Sequence, residues 1–341
     1  MSRWLRRFLA VVLILHGFAH AGAGMWLTHH ALAYERTPRL LVGALLWAWV
    51  TTRFVHAGFA MLHKVRVASR LASGAALLSL VLLALAWSPA MWFGVLVDAV
   101  VILTVAMTWR MEVLLLRVPR DRAPRRALRY VALAATAGLT LLWPVYAHWG
   151  SRPSELRATL PGDDAMEMKP DDVVYQNAVT IRAPPERVWS WLVQIGQGRG
   201  GFYSYRWLEY LFGLRIQNIE RVDPEMQTLH EGDLIRAAPD GWLGTRDLGW
   251  KVWRVEEGRL LVLRYWGSFV LLPAGGESTR LIARTPLGDP REHPGFAVFG
   301  LFWEPAHFVM ERKMLVGIKE RAERAEPALP PREGPRPSAQ R

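Results

Sequence analysis

Leu141-Leu142-Trp143-Pro144-Val145-Tyr146-Ala147-His148-Trp149-Gly150-Ser151-Arg152-Pro153 is the stretch where the chain changes character. Before His148, apolar runs of membrane length alternate with short, arginine-rich loops. After Trp149 the text turns polar, with turn signals between strand-length segments. One chain of 341 residues therefore holds a membrane-type half and a water-soluble half.

Hydrophobic residues make up 51%, and the mean hydropathy of +0.10 hides an apolar excess confined to the first half. The absence of cysteine excludes disulfides, thiolate-bound metal and thiol catalysis. The net charge is +12. Much of it lies in loops flanking apolar spans rather than among aromatics on the soluble half, which argues against a nucleic-acid partner.

A spanning helix needs about 20 mostly apolar residues. Five segments qualify: Phe8–Leu27, Leu40–Leu62, Leu71–Trp87, Met91–Trp109 and Tyr130–Trp149. Tryptophan and tyrosine cluster at their ends (Trp4, Trp26, Trp87, Trp92, Trp109, Tyr130, Trp149), where rings sit at headgroup level. Arg3, Arg6 and Arg7 precede the first span. Lys64, Arg66 and Arg70 follow the second, and seven arginines from Arg110 to Arg129 follow the fourth. The first loop carries only Arg36 and Arg39, partly offset by Glu35. Basic loops stay cytoplasmic. The expected arrangement is thus a multi-pass plasma-membrane protein with its N-terminus inside and its C-terminal half outside. The first span also reads as a secretory signal, with Ala19-His20-Ala21 as a small-residue cleavage site; four further spans make a retained helix the simpler reading.

Polar groups interrupt these spans. His16 and His20, four apart, share a face of the first helix. Arg53 and His56 lie on the second and Asp98 on the fourth. A charge near the bilayer centre costs about 2.5–3.5 kcal/mol on insertion scales, so it calls for a partner. Antiparallel packing of the first two helices would bring His16 near Arg53 and His56, and Asp98 would neutralise Arg53. Such a set suits a proton or ligand site, or a histidine pair holding haem or metal. It equally suits a polar patch gluing helices together.

Beyond a polar connector (150–172), Val173–Arg182 reads as a strand. Ala183-Pro184-Pro185-Glu186 opens a helix whose Val188, Trp191, Leu192 and Ile195 form one apolar face. Gly196-Gln197-Gly198-Arg199-Gly200-Gly201 spells a dinucleotide fingerprint, but a helix precedes it where a strand is required, so it reads as a glycine turn. A helix over Tyr203–Phe212 follows. Strands are expected at Asp233–Ala237, Gly249–Val255, Arg259–Trp266, Ser268–Pro273 and Ser278–Thr285, as an antiparallel meander. A long helix from Phe302 to Glu323 closes the domain, and Pro327–Arg341 is a Pro-rich polar tail.

This order resembles the START-like superfamily, also called the Bet v 1-like or SRPBCC fold, which includes polyketide cyclase-like proteins. The resemblance covers Asp171 to Glu323. It rests on Ile181-Arg182-Ala183-Pro184-Pro185-Glu186-Arg187-Val188-Trp189 and on the Gly196–Tyr205 segment. The third element is Glu304-Pro305-Ala306-His307-Phe308-Val309-Met310-Glu311-Arg312-Lys313-Met314-Leu315; the last two resemble a bacterial subgroup. The resemblance implies a helix-grip domain, a curved antiparallel sheet around the long C-terminal helix with a hydrophobic cavity between them. The superfamily binds lipids, sterols and polyketides; some members are enzymes and many only bind.

In that cavity the helix would present Trp303, His307, Met310 and Met314, with Trp191, Tyr203, Trp207, Trp253 and Tyr265 as further lining. The same residues suit an ordinary core. Glu304, His307 and Glu311 can share one helix face, and an acid beside an imidazole suits general acid–base work. Arg199 could pair with Glu304 or bind an anionic headgroup. Glu304-x-x-His307 is half of a di-iron motif, but the sequence has no second half, so no metal or other cofactor is expected. The leading expectation is a membrane-anchored binding module for a hydrophobic small molecule or lipid, its effective concentration raised by the tether. The rivals are a cyclase- or dehydratase-type enzyme using Glu304, His307 and Arg199, and a membrane sensor or transport accessory whose helical half is functional and whose soluble domain regulates it.

Overall fold

The computed structural model describes residues 3–33, 38–63, 65–112, 123–169, 172–292 and 294–324. Glu35, Arg36, Lys64, Arg117, Arg120, Arg122, Asp171 and the tail Pro327–Arg341 lie outside the described residues.

The N-terminal half is helical: α1 (Arg3–Ala19), α2 (Ala21–Ala33), α3 (Pro38–Met61), α4 (Val65–Leu85), α5 (Trp92–Glu112) and α6 (Ala123–Leu141). Among the described residues three helical stretches are long and apolar enough to cross a membrane: the α1–α2 rod Arg3–Ala33, Leu40–Met61 and Val65–Leu85. The described apolar stretches of the last two helices, Trp92–Leu103 and Tyr130–Leu141, are shorter. The expected fifth span ends early. Pro144 has no amide hydrogen to continue α6, and the chain restarts as the short α7 (Trp143–Ala147), which packs on the soluble domain. Glycines bring helices into close approach. A Cβ on Gly58 would stand 2.8 Å from the Ala10 carbonyl oxygen, and one on Gly17 would stand 2.8 Å from Phe54 Cβ.

The second half runs α8 (Pro153–Arg157), β1 (Val173–Ile181), α9 (Pro185–Leu192), α10 (Arg206–Leu211), β2 (Leu234–Arg236), β3 (Gly249–Glu256), β4 (Leu260–Leu263), β5 (Gly267–Pro273), β6 (Thr279–Gly288) and α11 (Pro294–Ala322). The six strands form one antiparallel sheet in the order β1-β6-β5-β4-β3-β2. The expected strands and the turns between them are present. Two helices differ: α10 is shorter than Tyr203–Phe212, and α11 starts at Pro294 rather than Phe302.

Strands β4, β5 and β6 are buried on both faces, so both have cover. On one face Leu263, Phe269, Leu281 and Ala283 pack with Leu192 of α9 and with Met314, Leu315 and Ile318 of α11. On the other, Leu260, Val262, Val270 and Ile282 pack under Leu160. The connector is therefore part of the fold rather than a spacer. It is fastened by a buried two-pronged contact from Arg280 to Glu155, both donor–acceptor distances 2.8 Å, and by Arg284 beside Asp163.

The two halves share a core. Val173 and Tyr175 of β1 and Ala297 and Leu301 of α11 belong to the same buried cluster as Met25, Leu27, Trp47 and Trp143. Helix α2 is enclosed by this contact, with Ala33 packed on Leu156 and Val174.

Candidate functional site: a polar centre at the end of an apolar cavity

The α1–α2 rod is interrupted at His20, one turn after His16. Both imidazoles are buried and point toward α4 and α5. His16 Nε2 donates to Asp98 Oδ1 at 2.8 Å. Ser79 Oγ donates to Asp98 Oδ2, which uses its single proton, so its contact to His20 Nε2 at 3.0 Å is one in which the ring donates. The result is one chain, His16–Asp98–Ser79–His20, drawn from three elements. Phe54 of α3 covers both rings at centroid distances of 4.7 and 5.8 Å.

This differs from the expected contacts of Arg53 and His56. The edge of α3 that meets α1 carries Val50, Phe54 and Ala57. Arg53 lies one residue, about 100°, away on the helix. Its guanidinium stacks on Trp49 at 4.6 Å, and the ion-pair partner of Asp98 is His16. His56, half-buried, lies outside the His16–Asp98–Ser79–His20 chain. Ser79 carries neither charge nor imidazole; its one sequence signal is a hydroxyl within the apolar run Ala75–Leu85.

A cavity of about 370 Å³ ends on His16 and His20. Its walls are apolar and come from α1, α2, α4 and α5, with buried Leu83 and half-buried Val97 among them. Val12, Leu15 and Phe93 line it and are also exposed on the outside of the bundle, so it opens sideways between α1 and α5. Pro290 and Arg291, from the loop between β6 and α11, form its rim. Gly22 makes that possible: a Cβ there would stand 2.0 Å from the Pro290 carbonyl oxygen. Arg291 lies 4.1 Å from the Trp26 ring and pairs with Asp289.

The candidates on α11 converge in part: His307 meets Glu311, whereas Glu304 turns to Trp143. Glu304 is buried and accepts from Trp143 Nε1 at 2.9 Å, while its other oxygen has no hydrogen-bond partner among the described residues. Burial pushes its carboxyl up to about 7, against the opposing pull of the indole hydrogen bond. Glu311 accepts from Asn177 Nδ2 at 2.8 Å and from Trp266 Nε1 at 3.3 Å, which ties α11 to the sheet. His307 stands 3.7 Å from Glu311, beside the rings of Tyr175 and Trp266. Arg199 is not beside Glu304. Its guanidinium donates to the carbonyls of Val193 and Met226, because the tight glycine turn, closed by a Gly196–Gly201 bridge, folds it back toward the C-terminal end of α9.

The expected lining of the helix-grip space is dispersed. Trp207, Trp253, Tyr265 and Trp303 are exposed, Tyr265 at 88%, and so cannot line an internal cavity. Trp191, Tyr203 and Met314 are packed core. Met310 is half-buried, its carbonyl accepting from Ser204. Alternating strand positions explain the split: Trp253 lies beside Val252, which faces inward.

Comparison with known protein families, with characterised proteins and with solved structures finds no match to this chain.

Proposed function

We propose that the protein is a multi-pass membrane protein that binds an apolar small molecule or lipid in the cavity between α1 and α5. The carrying observation is that this cavity opens sideways through Val12, Leu15 and Phe93 and ends on His16 and His20. An occupant would keep its apolar body against Leu83 and Val97 and offer a polar end to the imidazoles. This keeps the ligand class expected from sequence and moves the site from the soluble domain to the membrane half.

The fuller arrangement is five spans, α5 and α6 completing the set, in a plasma membrane with the N-terminus cytoplasmic. Gly22 lies roughly 27 Å along the helix from Trp4, close to one hydrocarbon thickness. The soluble domain meets the far end: Pro290 at Gly22, Arg291 near the Trp87 carbonyl, Val174 at Ala33. These contacts support a reading in which the N-terminus and the domain lie on opposite sides, as an odd number of spans would require. The strand, two short helices, meander and long helix support reading the domain as START-like, here used as a docked cap.

The test is mass spectrometry of molecules that co-purify with the full chain, with Val97→Trp as the cavity-filling variant. An apolar molecule present in the wild type and absent from a folded Val97→Trp supports the site. Retention of the same molecule by Val97→Trp rejects it. A reporter fused after Glu323 reads the side of the membrane.

A further inference from the structure

We propose that His16, His20 and Asp98 form a site for a first-row divalent transition cation such as Zn²⁺ or Fe²⁺. Each offers one ligand atom, and these atoms lie within 4.8 Å of one another with all three residues buried. The ligands of a tetrahedral zinc stand roughly 3.3 Å apart, so closing the set needs only small side-chain rotations. Two histidines four residues apart on one helix face are a recurrent bidentate unit for such cations. Two imidazoles and one carboxylate are a complete protein set for a site that keeps an open position.

That open position has somewhere to face. His16 and His20 line the cavity, while Asp98 lies behind them, fully buried. A cation held by the three would present its free coordination position to whatever fills the cavity. Charge favours it too. Among the described residues the ion-pair partner of Asp98 is His16, at 2.8 Å. A divalent cation would add positive charge beside a carboxylate that is costly to bury among apolar helices. Ser79 already holds Asp98 and His20 in place from the second rank, and coordination would exchange the protons now shared within the chain for the metal. The proposal does not depend on the apolar ligand, because a cation can occupy the three groups with the cavity empty.

The experiment titrates the full chain, purified in detergent and stripped with chelator, with Co²⁺ and follows the visible bands of low-symmetry cobalt, then displaces Co²⁺ with Zn²⁺. One Co²⁺ per chain is expected. Asp98→Asn and His16→Gln, both close in shape to the native side chains, should each weaken uptake by at least about 100-fold, the upper end of what even an outer-shell partner costs. Ser79→Ala, which keeps all three ligands and removes only the hydroxyl that orients two of them, should weaken uptake by about tenfold, less than either ligand variant. The exposed His230→Gln should change nothing. Val97→Trp should keep Co²⁺ uptake even where it loses the apolar ligand, which separates this proposal from the preceding one. Absence of stoichiometric uptake by wild type, or unchanged uptake in Asp98→Asn, overturns the site. So does an equal loss in Ser79→Ala, which would mean that the helix contact rather than the ligand set had been disturbed.

Discussion

Glu304 is the residue where stability and pH meet. Burial pushes its carboxyl up to about 7 from an ordinary 4.5, because it disfavours the charge more than the Trp143 hydrogen bond favours it. The folded state therefore keeps a proton that the unfolded state releases above pH 4.5. Stability is greatest below that value, falls as pH rises to about 7, and stays low above it. The upward shift corresponds to about 3 kcal/mol. Glu304→Gln, which still accepts from the indole, should match wild type at pH 4.5 and exceed it by up to that amount at pH 8, read as thermal unfolding in detergent. Glu209, also buried and pushed up to about 7, leaves some pH dependence in the variant. A wild-type profile flat from pH 4.5 to 8 would sink the argument. Gly24 is a second residue with a definite cost. A Cβ there would stand 1.8 Å from the fully buried Trp47 ring, so Gly24→Ala should cost about 1–3 kcal/mol or more, measurable as a drop in midpoint temperature.

Among elements, the connector carries the sharpest expectation. Glu155 and Arg280 are 9–12% exposed and joined by two hydrogen bonds, so Glu155→Gln strands a buried guanidinium and should cost about 3–5 kcal/mol. The exposed Arg236–Asp240 pair is the internal comparison; Arg236→Ala should cost less than about 1 kcal/mol. Equal losses would mean that the connector does not fasten the sheet. The same segment shows where sequence reading stops. Strands β1 to β6 were legible because Val173–Ile181 and the later runs carry β-branched residues between Gly-Pro turns, which are local signals. That Leu160 covers the far face of the sheet was not legible, since a Pro- and Asp-rich segment carries no period. Helix partners failed for the same reason. His16 and Asp98 were identifiable as polar groups in apolar spans, but their pairing depends on how α3 is rotated, and Arg53 and Phe54 differ by one residue in a sequence that does not state the rotation.

At the scale of the molecule, the consequence is that the soluble half is not a free domain on a tether. Val173, Tyr175, Ala297 and Leu301 are buried against α2, α3 and α7, and Tyr175 and Leu301 are almost completely enclosed. Each large apolar side chain of this kind contributes about 1.5–3 kcal/mol on burial, against a total stability of about 5–15 kcal/mol for a typical domain. Cutting the chain after Trp149 removes that cover and also exposes Glu304, which loses Trp143. A fragment of residues 150–324 should therefore aggregate in buffer, or unfold well below the full chain, while the full chain remains monodisperse in detergent; size-exclusion chromatography and thermal melts read the difference. A cooperative, soluble fragment with a full-length midpoint would mean that the shared core is incidental. It would also remove the reason to treat Pro290 and Arg291 as a fixed rim, since only a docked domain can hold them over Gly22 at the mouth of the cavity.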